Sequence, residues 1–333
     1  MLLLWLLLTT VALAAEREPD EAFDFDDAPM STPTEHPEWF TESFLDLSDD
    51  LEEALAAGKK GIIVYFGQRH CPYCQKLMEV NFGEEEIVTY TRRHFDLIAI
   101  DTRGAMDVTG FDGNTLSERN YALDQETQLT PSLIFYSEEG KAALRLTGYY
   151  PPYKFLAALE YVADDHYRNE SFADYLQRAE GSLAFEPGEL NEEPFFTPPP
   201  YALDRSRMAA DAPLAVFFEQ GECHACDVLH AQPLQNSEIT HLLEKFENAQ
   251  LDIHADTPVL TPGGQHTTAK AWARELGLFY TPSILFFDES GREIMRLDSV
   301  VQFFRLHQVL SYIASGDYRT EPSYLKWRGK QVR

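Results

Sequence analysis

Spare cysteine is what this chain most conspicuously lacks. It has four cysteines in 333 residues, and all four fall in two Cys-x-x-Cys pairs, Cys71-Pro72-Tyr73-Cys74 and Cys223-His224-Ala225-Cys226. A disulfide-stapled scaffold would spread its cysteines along the chain, so that class is excluded. Zinc spacing is missing as well. The pairs stand roughly 150 residues apart, where a structural zinc site brings two pairs within about 15–20. No metal ligands are assigned. Basic side chains are scarce, with 27 Lys and Arg against 55 Asp and Glu and a net charge of −28. Such a surface repels phosphate backbones, so nucleic acid is not an expected partner.

Long apolar runs are also wanting. The strongest is MLLLWLLLTTVALAA at residues 1–15. It has the length of a signal-peptide core and is too short to span a bilayer comfortably. No Lys or Arg precedes it, but small residues end it, and cleavage is expected near Ala14 or Ala15. An uncleaved N-terminal anchor is the alternative. Either way the remaining chain would face a periplasmic or secreted environment, where dithiols can cycle.

What is present is a duplication. An apolar strand pattern, Gly61 to Phe66, leads into Cys71, and a helical pattern follows. Thr130-Pro131-Ser132 then enters a second apolar run. Leu214 to Phe218, Cys223 and Thr281-Pro282-Ser283 repeat that order. Asp101 and Asp252, Gly113 and Gly264, Pro131 and Pro282, and Gly140 and Gly291 each stand 151 residues apart. A period this long marks a duplicated domain, since solenoid repeats are far shorter. The expected layout is a signal peptide at 1–15 and an acidic flexible leader at 16–42. Unit one covers 43–185, a Pro-rich semi-rigid linker 186–204, unit two 205–328 and a tail 329–333. Ser48 is the expected N-cap of the first helix in unit one.

The motifs carry a definite chemistry. A cysteine at a helix N-terminus is exposed to free backbone N–H groups and the positive end of the dipole, which favour thiolate. A second cysteine one turn on can attack a mixed disulfide and release the substrate. Cys71 and Cys223 are therefore the expected nucleophiles, and Cys74 and Cys226 the resolving thiols. Pro72 suits the first helical turn, where its missing N–H costs nothing. Tyr73 and His70 flank Cys71 as tuning residues, and His224 does so for Cys223. Proline at the start of a central strand is unfavourable unless the X-Pro bond is cis and the turn serves a purpose. Thr130-Pro131 and Thr281-Pro282 would then offer backbone to an extended peptide substrate. Arg69 and His70 favour thiolate at Cys71, while Glu219, Glu222 and Asp227 oppose it near Cys223. Cys71 is thus expected to be the more acidic thiol and unit one the more oxidising couple.

These features together resemble the thioredoxin fold, twice over, in an α/β arrangement of a mixed sheet flanked by helices. The Cys71-Pro72-Tyr73-Cys74 motif is similar to that of glutaredoxins. The loop before the second helix and the Tyr-rich tail resemble periplasmic thioredoxin-related proteins of the SoxW-like type. The resemblance spans about 43–178 and 205–328. It implies protein thiol–disulfide exchange with no dissociable cofactor beyond the Cys71–Cys74 and Cys223–Cys226 disulfides. It also implies protein thiol or disulfide substrates and a membrane thiol reductase as electron donor. Gly148-Tyr149 matches the family's substrate-groove glycine, whereas unit two has Ser299 there. Tyr65 and Phe217 stand where thioredoxins carry a buried aspartate. The competing classes are an extracytoplasmic metallochaperone using the same thiols and a scaffold with vestigial sites.

Overall fold

A computed structural model describes residues 22–180 and 189–331; the apolar stretch 1–15 lies outside them. Unit one runs α1 (Leu47–Ala56), β1 (Gly61–Gly67), α2 (Pro72–Lys76, continued by a π-helical turn at Leu77–Asn81), α3 (Glu85–His94), β2 (Phe95–Asp101), β3 (Asp107–Thr109), β4 (Thr115–Ser117), α4 (Glu118–Asp124), β5 (Ser132–Ser137), β6 (Ala142–Thr147), α5 (Pro152–Ala163) and α6 (Phe172–Glu180). Unit two follows with β7 (Tyr201–Ala202), β8 (Leu214–Glu219), α7 (His224–Ala231), α8 (Ser237–Leu243), β9 (Glu247–Asp252), β10 (Pro258–Leu260), β11 (His266–Thr268), α9 (Ala269–Glu275), β12 (Ser283–Phe287), β13 (Glu293–Leu297), α10 (Phe303–Ala314) and α11 (Tyr324–Gln331).

The central strands explain the architecture. β1 reads GIIVYFG, and every residue in it is buried. An unbroken apolar strand needs cover on both faces. Alternation supplies it: Ile63 and Tyr65 face the core shared with α2, α3 and α5. Ile62, Val64 and Phe66 face the core under α1 and α4. The sheet order is β2-β1-β5-β6, with β1 parallel to β2 and antiparallel to β5. Unit two repeats it as β9-β8-β12-β13. The expected pair of mixed sheets flanked by helices is therefore what the chain forms.

Four expectations are corrected. The cap of α1 is Asp46, not Ser48, because the Asp46 carboxylate already accepts from the N–H groups of Ser48 and Asp49 at 3.1 and 3.3 Å. The leader, from Ala22 onward, is not a free chain. Asp27 is buried, and Phe23, Phe25, Trp39 and Phe40 pack on the core of unit one. The linker is not a mere spacer, since Phe195 and Phe196 pack on the core of unit two and the Thr197 N–H donates to the Asn248 carbonyl. The tail expected from 329 belongs to α11 as far as Gln331. Among the described residues no helix is long and apolar enough to cross a membrane.

The units also dock on one another. Leu129 of unit one sits in the core of unit two, while Tyr280 and Val300 of unit two sit in the core of unit one. The Val300 N–H donates to the Tyr149 carbonyl at 3.0 Å. Gly148 has a positive φ of 96°, and a Cβ built there would lie 1.9 Å from Ser299 Oγ. Glycine is required at that position both by its backbone and by the approach of unit two.

Candidate redox sites

Each Cys-x-x-Cys is built the same way. The strand ends, the chain turns, and the first cysteine becomes the N-cap of the helix, with extended backbone at φ −130° for Cys71 and −113° for Cys223. Its sulfur accepts the N–H of the second cysteine at 3.1 Å in both units. That is an N-cap hydrogen bond made by sulfur, and it satisfies one of the helix's unpaired donors. Both pairs are disulfides, Cys71–Cys74 and Cys223–Cys226.

The proline loops close over the sulfurs. The Thr130–Pro131 and Thr281–Pro282 peptide bonds are cis. Cys71 Sγ lies 3.4 Å from Thr130 Oγ1 and 3.6 Å from the Thr130 carbonyl oxygen. Cys223 Sγ lies 3.6 and 3.8 Å from the same atoms of Thr281. Each loop is held by the serine after the proline. Ser132 Oγ donates to the Leu129 carbonyl at 2.7 Å, and Ser283 Oγ to that of Tyr280 at 2.6 Å. So the structure brings Cys71, Cys74, Thr130 and Pro131 together, and likewise Cys223, Cys226, Thr281 and Pro282.

The flanking residues differ between units. Pro72 is buried in the first turn of α2. Tyr73 is buried, and its hydroxyl donates to Asp27 Oδ2 at 2.8 Å. Burial, first of all, pushes that phenol well above its ordinary range, against the pull of Arg305. His70 is exposed, with Nδ1 3.3 Å from the Thr32 carbonyl oxygen. His224 meets the edge of Phe23, ring centres 5.3 Å apart. Tyr65 is wholly buried where thioredoxins hold an acid, and its hydroxyl has no hydrogen-bond partner among the described residues.

Unit two carries a histidine–carboxylate cluster with no counterpart in the sequence-based expectations. Glu219, expected to oppose thiolate at Cys223, is instead engaged by His230. His230 Nε2 lies 3.1 Å from both Glu219 oxygens, and Nδ1 lies 3.0 Å from Glu193 Oε1. Gln250 Nε2 donates to Glu219 Oε2 at 3.0 Å. Burial lowers the imidazole's affinity for a proton, but the two carboxylates outweigh it, and its pKa is raised. Asp227 is also occupied, accepting from Asn191 Nδ2 at 2.9 Å. A visible clue was the single acid ending the apolar strand LAVFFE, with a histidine four residues after Cys226.

A second acid meets the seam between the units. Asp298 is half-buried as a residue, yet its Oδ1 is shielded from water without a partner. Burial, opposed by Arg296, pushes its pKa up to about 6, with Tyr150 of unit one hydrogen-bonded to it. An acid with a raised native pKa favours folding most when it is protonated. That contribution is complete only below the ordinary aspartate value of 3.8 and is lost as pH rises through about 6. Asp298→Asn is therefore expected to stabilise the protein at pH 7 by about 1–2 kcal/mol, discounted for the partial exposure. Urea unfolding at pH 7 and about pH 3 checks it, because the gain over wild type should vanish below the ordinary aspartate value.

The geometry and the sequence agree on a class. The chain belongs to the thioredoxin-like domain family, whose model matches residues 47–163 and 205–314. Its two thioredoxin-like domains each carry a Cys-x-x-Cys disulfide, the equipment of thiol–disulfide oxidoreductases. Among solved structures it is similar to a thioredoxin-fold protein from Helicobacter pylori, at 23% identity over 43% of this chain and 88% of that one, with a TM-score of 0.34. It is also similar to a thioredoxin from Thermus thermophilus, at 21% over 42% and 95%, TM-score 0.29. A third is a disulphide isomerase from Xylella fastidiosa, at 19% over 38% and 93%, TM-score 0.23. No curated protein matches the chain.

Proposed function

We propose that this protein is an extracytoplasmic protein thiol–disulfide oxidoreductase working at two dithiol sites. The observation that carries the reading is the repeated geometry: a sulfur capping a helix beside the backbone of a Thr-Pro loop, in both units. In the reduced enzyme the Cys71 thiolate attacks a substrate disulfide. A Cys71–substrate disulfide forms, and one substrate sulfur leaves and takes a proton. Cys74, losing its proton, then attacks Cys71 Sγ. The Cys71–Cys74 disulfide forms and the second substrate thiol is released, so two electrons have passed to the substrate. Cys223 and Cys226 do the same in unit two. Oxidation of a substrate dithiol runs these steps backwards. The redox group is the dithiol itself, with no dissociable cofactor. Protein thiols and disulfides are the substrates, and a membrane thiol reductase would renew the dithiols. The N-terminal apolar stretch supports the extracytoplasmic location.

The test is glutathione titration of two full-length double variants, Cys71→Ser/Cys74→Ser and Cys223→Ser/Cys226→Ser. Each is expected to leave one two-electron couple, with unit one the more oxidising. If neither remaining pair exchanges with glutathione, the oxidoreductase reading fails.

A further inference from the structure

The exchange chemistry needs Cys71 and the Thr130 backbone to be reachable, and in this structure neither is. Cys71 is 1% exposed and Cys74 is 0%. The cover is supplied by the chain itself, from the start of α10 and from the segment around Asp27.

The contacts are specific. Arg305 Nη2 donates to the Thr130 carbonyl at 2.6 Å. That oxygen lies 3.6 Å from Cys71 Sγ and is the acceptor that an extended substrate would use. The Arg305 guanidinium lies over the Tyr73 ring, 3.2 Å from its centre. Asp27 holds the arrangement from the other side. Its Oδ2 accepts from the Tyr73 hydroxyl and from the Arg305 N–H, and its Oδ1 from the Phe304 N–H, each at 2.8 Å. The Gln302 N–H donates to the Tyr73 hydroxyl at 2.8 Å. α10 has no side-chain cap of its own, so Asp27 acts as one, from 277 residues earlier.

Burying a guanidinium is costly unless it is paired and hydrogen-bonded. Here a carbonyl and an aromatic face meet one that is 5% exposed, while Asp27 takes only the backbone N–H of Arg305 and, among the described residues, Nη1 has no hydrogen-bond partner. A planar cation with an aromatic face below it and an oxygen at its edge is the arrangement that arginine fits better than lysine. Duplication alone does not account for it. The position equivalent to Tyr73 in unit two is Ala225, and the one equivalent to Arg305 in unit one is Lys154. Unit two has no ring there to receive a guanidinium.

We propose that Tyr73, held by Asp27, and the Thr130 carbonyl form a guanidinium subsite beside Cys71, and that Arg305 fills it as an internal stand-in for substrate. A protein substrate presenting arginine next to its reacting cysteine displaces Arg305, and unit two with it, before exchange begins. The acidic surface, at −28 overall, favours the approach of such basic segments. The substrate half rests on the oxidoreductase function proposed above, and the covering half does not.

The experiment uses the full chain with Cys223→Ser/Cys226→Ser, so that unit one holds all the thiols. After reduction, modification of Cys71 by a polyethylene-glycol maleimide reports access to the thiol. Arg305→Ala is expected to speed it by about tenfold or more, the value of a buried cation–aromatic contact with a charge-assisted hydrogen bond. Arg305→Lys should fall between. It also serves as the informative variant should the alanine form not fold. A rate in both variants equal to wild type overturns the covering role. Exchange is then followed with two peptide disulfides that differ only in Arg or Gln beside the cysteine. In the Arg305→Ala protein the arginine peptide should react several-fold faster, and Tyr73→Leu should erase the preference. Equal rates for the two peptides overturn the subsite. Faster maleimide modification with no exchange of either peptide supports the cover and refutes the oxidoreductase reading instead.

Discussion

Replacing His230 with alanine is expected to destabilise the protein by about 3–5 kcal/mol, the usual consequence of removing one partner from a buried ion pair. Glu219 is 0% exposed, and the carboxylate depends on His230 and Gln250 for its polar contacts. Without the imidazole, the Glu219 carboxyl group in the core at the end of β8 keeps only its contact from Gln250. Glu193 also loses its contact with the imidazole and keeps the one from Gln235 Nε2, so part of what seats the linker on unit two goes with it. A second substitution separates charge from packing. Glu219→Gln added to His230→Ala should recover a large part of the loss, because the amide needs no counter-ion. The histidine also sets a pH dependence. Its native pKa is raised, so its contribution is fully present below the ordinary histidine value of about 6.5. It fades as pH rises through the raised native value. Chemical unfolding across pH 6 to 9 should show wild type losing stability relative to the double variant. A single variant as stable as wild type would mean that Glu219 is hydrated and that the cluster contributes nothing.

The legible part of this protein was local in sequence. A strand, a turn with two cysteines and a helix follow one another directly along the chain, and the Thr-Pro loops recur 59 and 58 residues after the first cysteine of each unit. Hydrophobic alternation and cysteine spacing carry that information directly. The contacts that cover the first site were not legible, because they join residues with no local signature. Asp27 lies in a stretch of acids and prolines that composition reads as solvated chain, yet its carboxylate caps a helix that begins at Phe303. Arg305 resembles any polar residue in an amphipathic helix until the units are docked. The hydrogen bond from Val300 to the Tyr149 carbonyl likewise depends on how two independently readable domains meet. Glu219 was seen but given the wrong neighbour. Proximity in sequence to Cys223 suggested electrostatic opposition, whereas the strand's last residue turns its carboxylate toward His230 on α7.

Cys71→Ser and Cys74→Ser are expected to part company by orders of magnitude in unit one, studied with Cys223→Ser/Cys226→Ser. The first should abolish exchange, with a loss of about 10³-fold or more, since a serine hydroxyl is a far weaker nucleophile than a thiolate at neutral pH. The second should instead trap substrate. Cys71 is the helix cap: its sulfur receives the Cys74 N–H at 3.1 Å and faces Thr130 Oγ1 at 3.4 Å. Both groups can donate to a thiolate, and the dipole of the helix assists them. Cys74 lies inside the first turn, wholly buried in the apolar cluster with Tyr73 and Leu77. Its role can only begin once a mixed disulfide has put the substrate on Cys71. Without it, that disulfide has no intramolecular exit. Gel-shift detection of the trapped complex under non-reducing conditions is the measurement. An adduct that accumulates with Cys74→Ser and is absent with Cys71→Ser assigns attack to Cys71, and the reverse pattern would exchange the two roles. The equivalent pair of variants at Cys223 and Cys226 should behave alike but, once Arg305→Ala has uncovered Cys71, trap less quickly than unit one. Arg69 and His70 precede Cys71, whereas Glu222 precedes Cys223, so less of the second nucleophile is ionised at neutral pH.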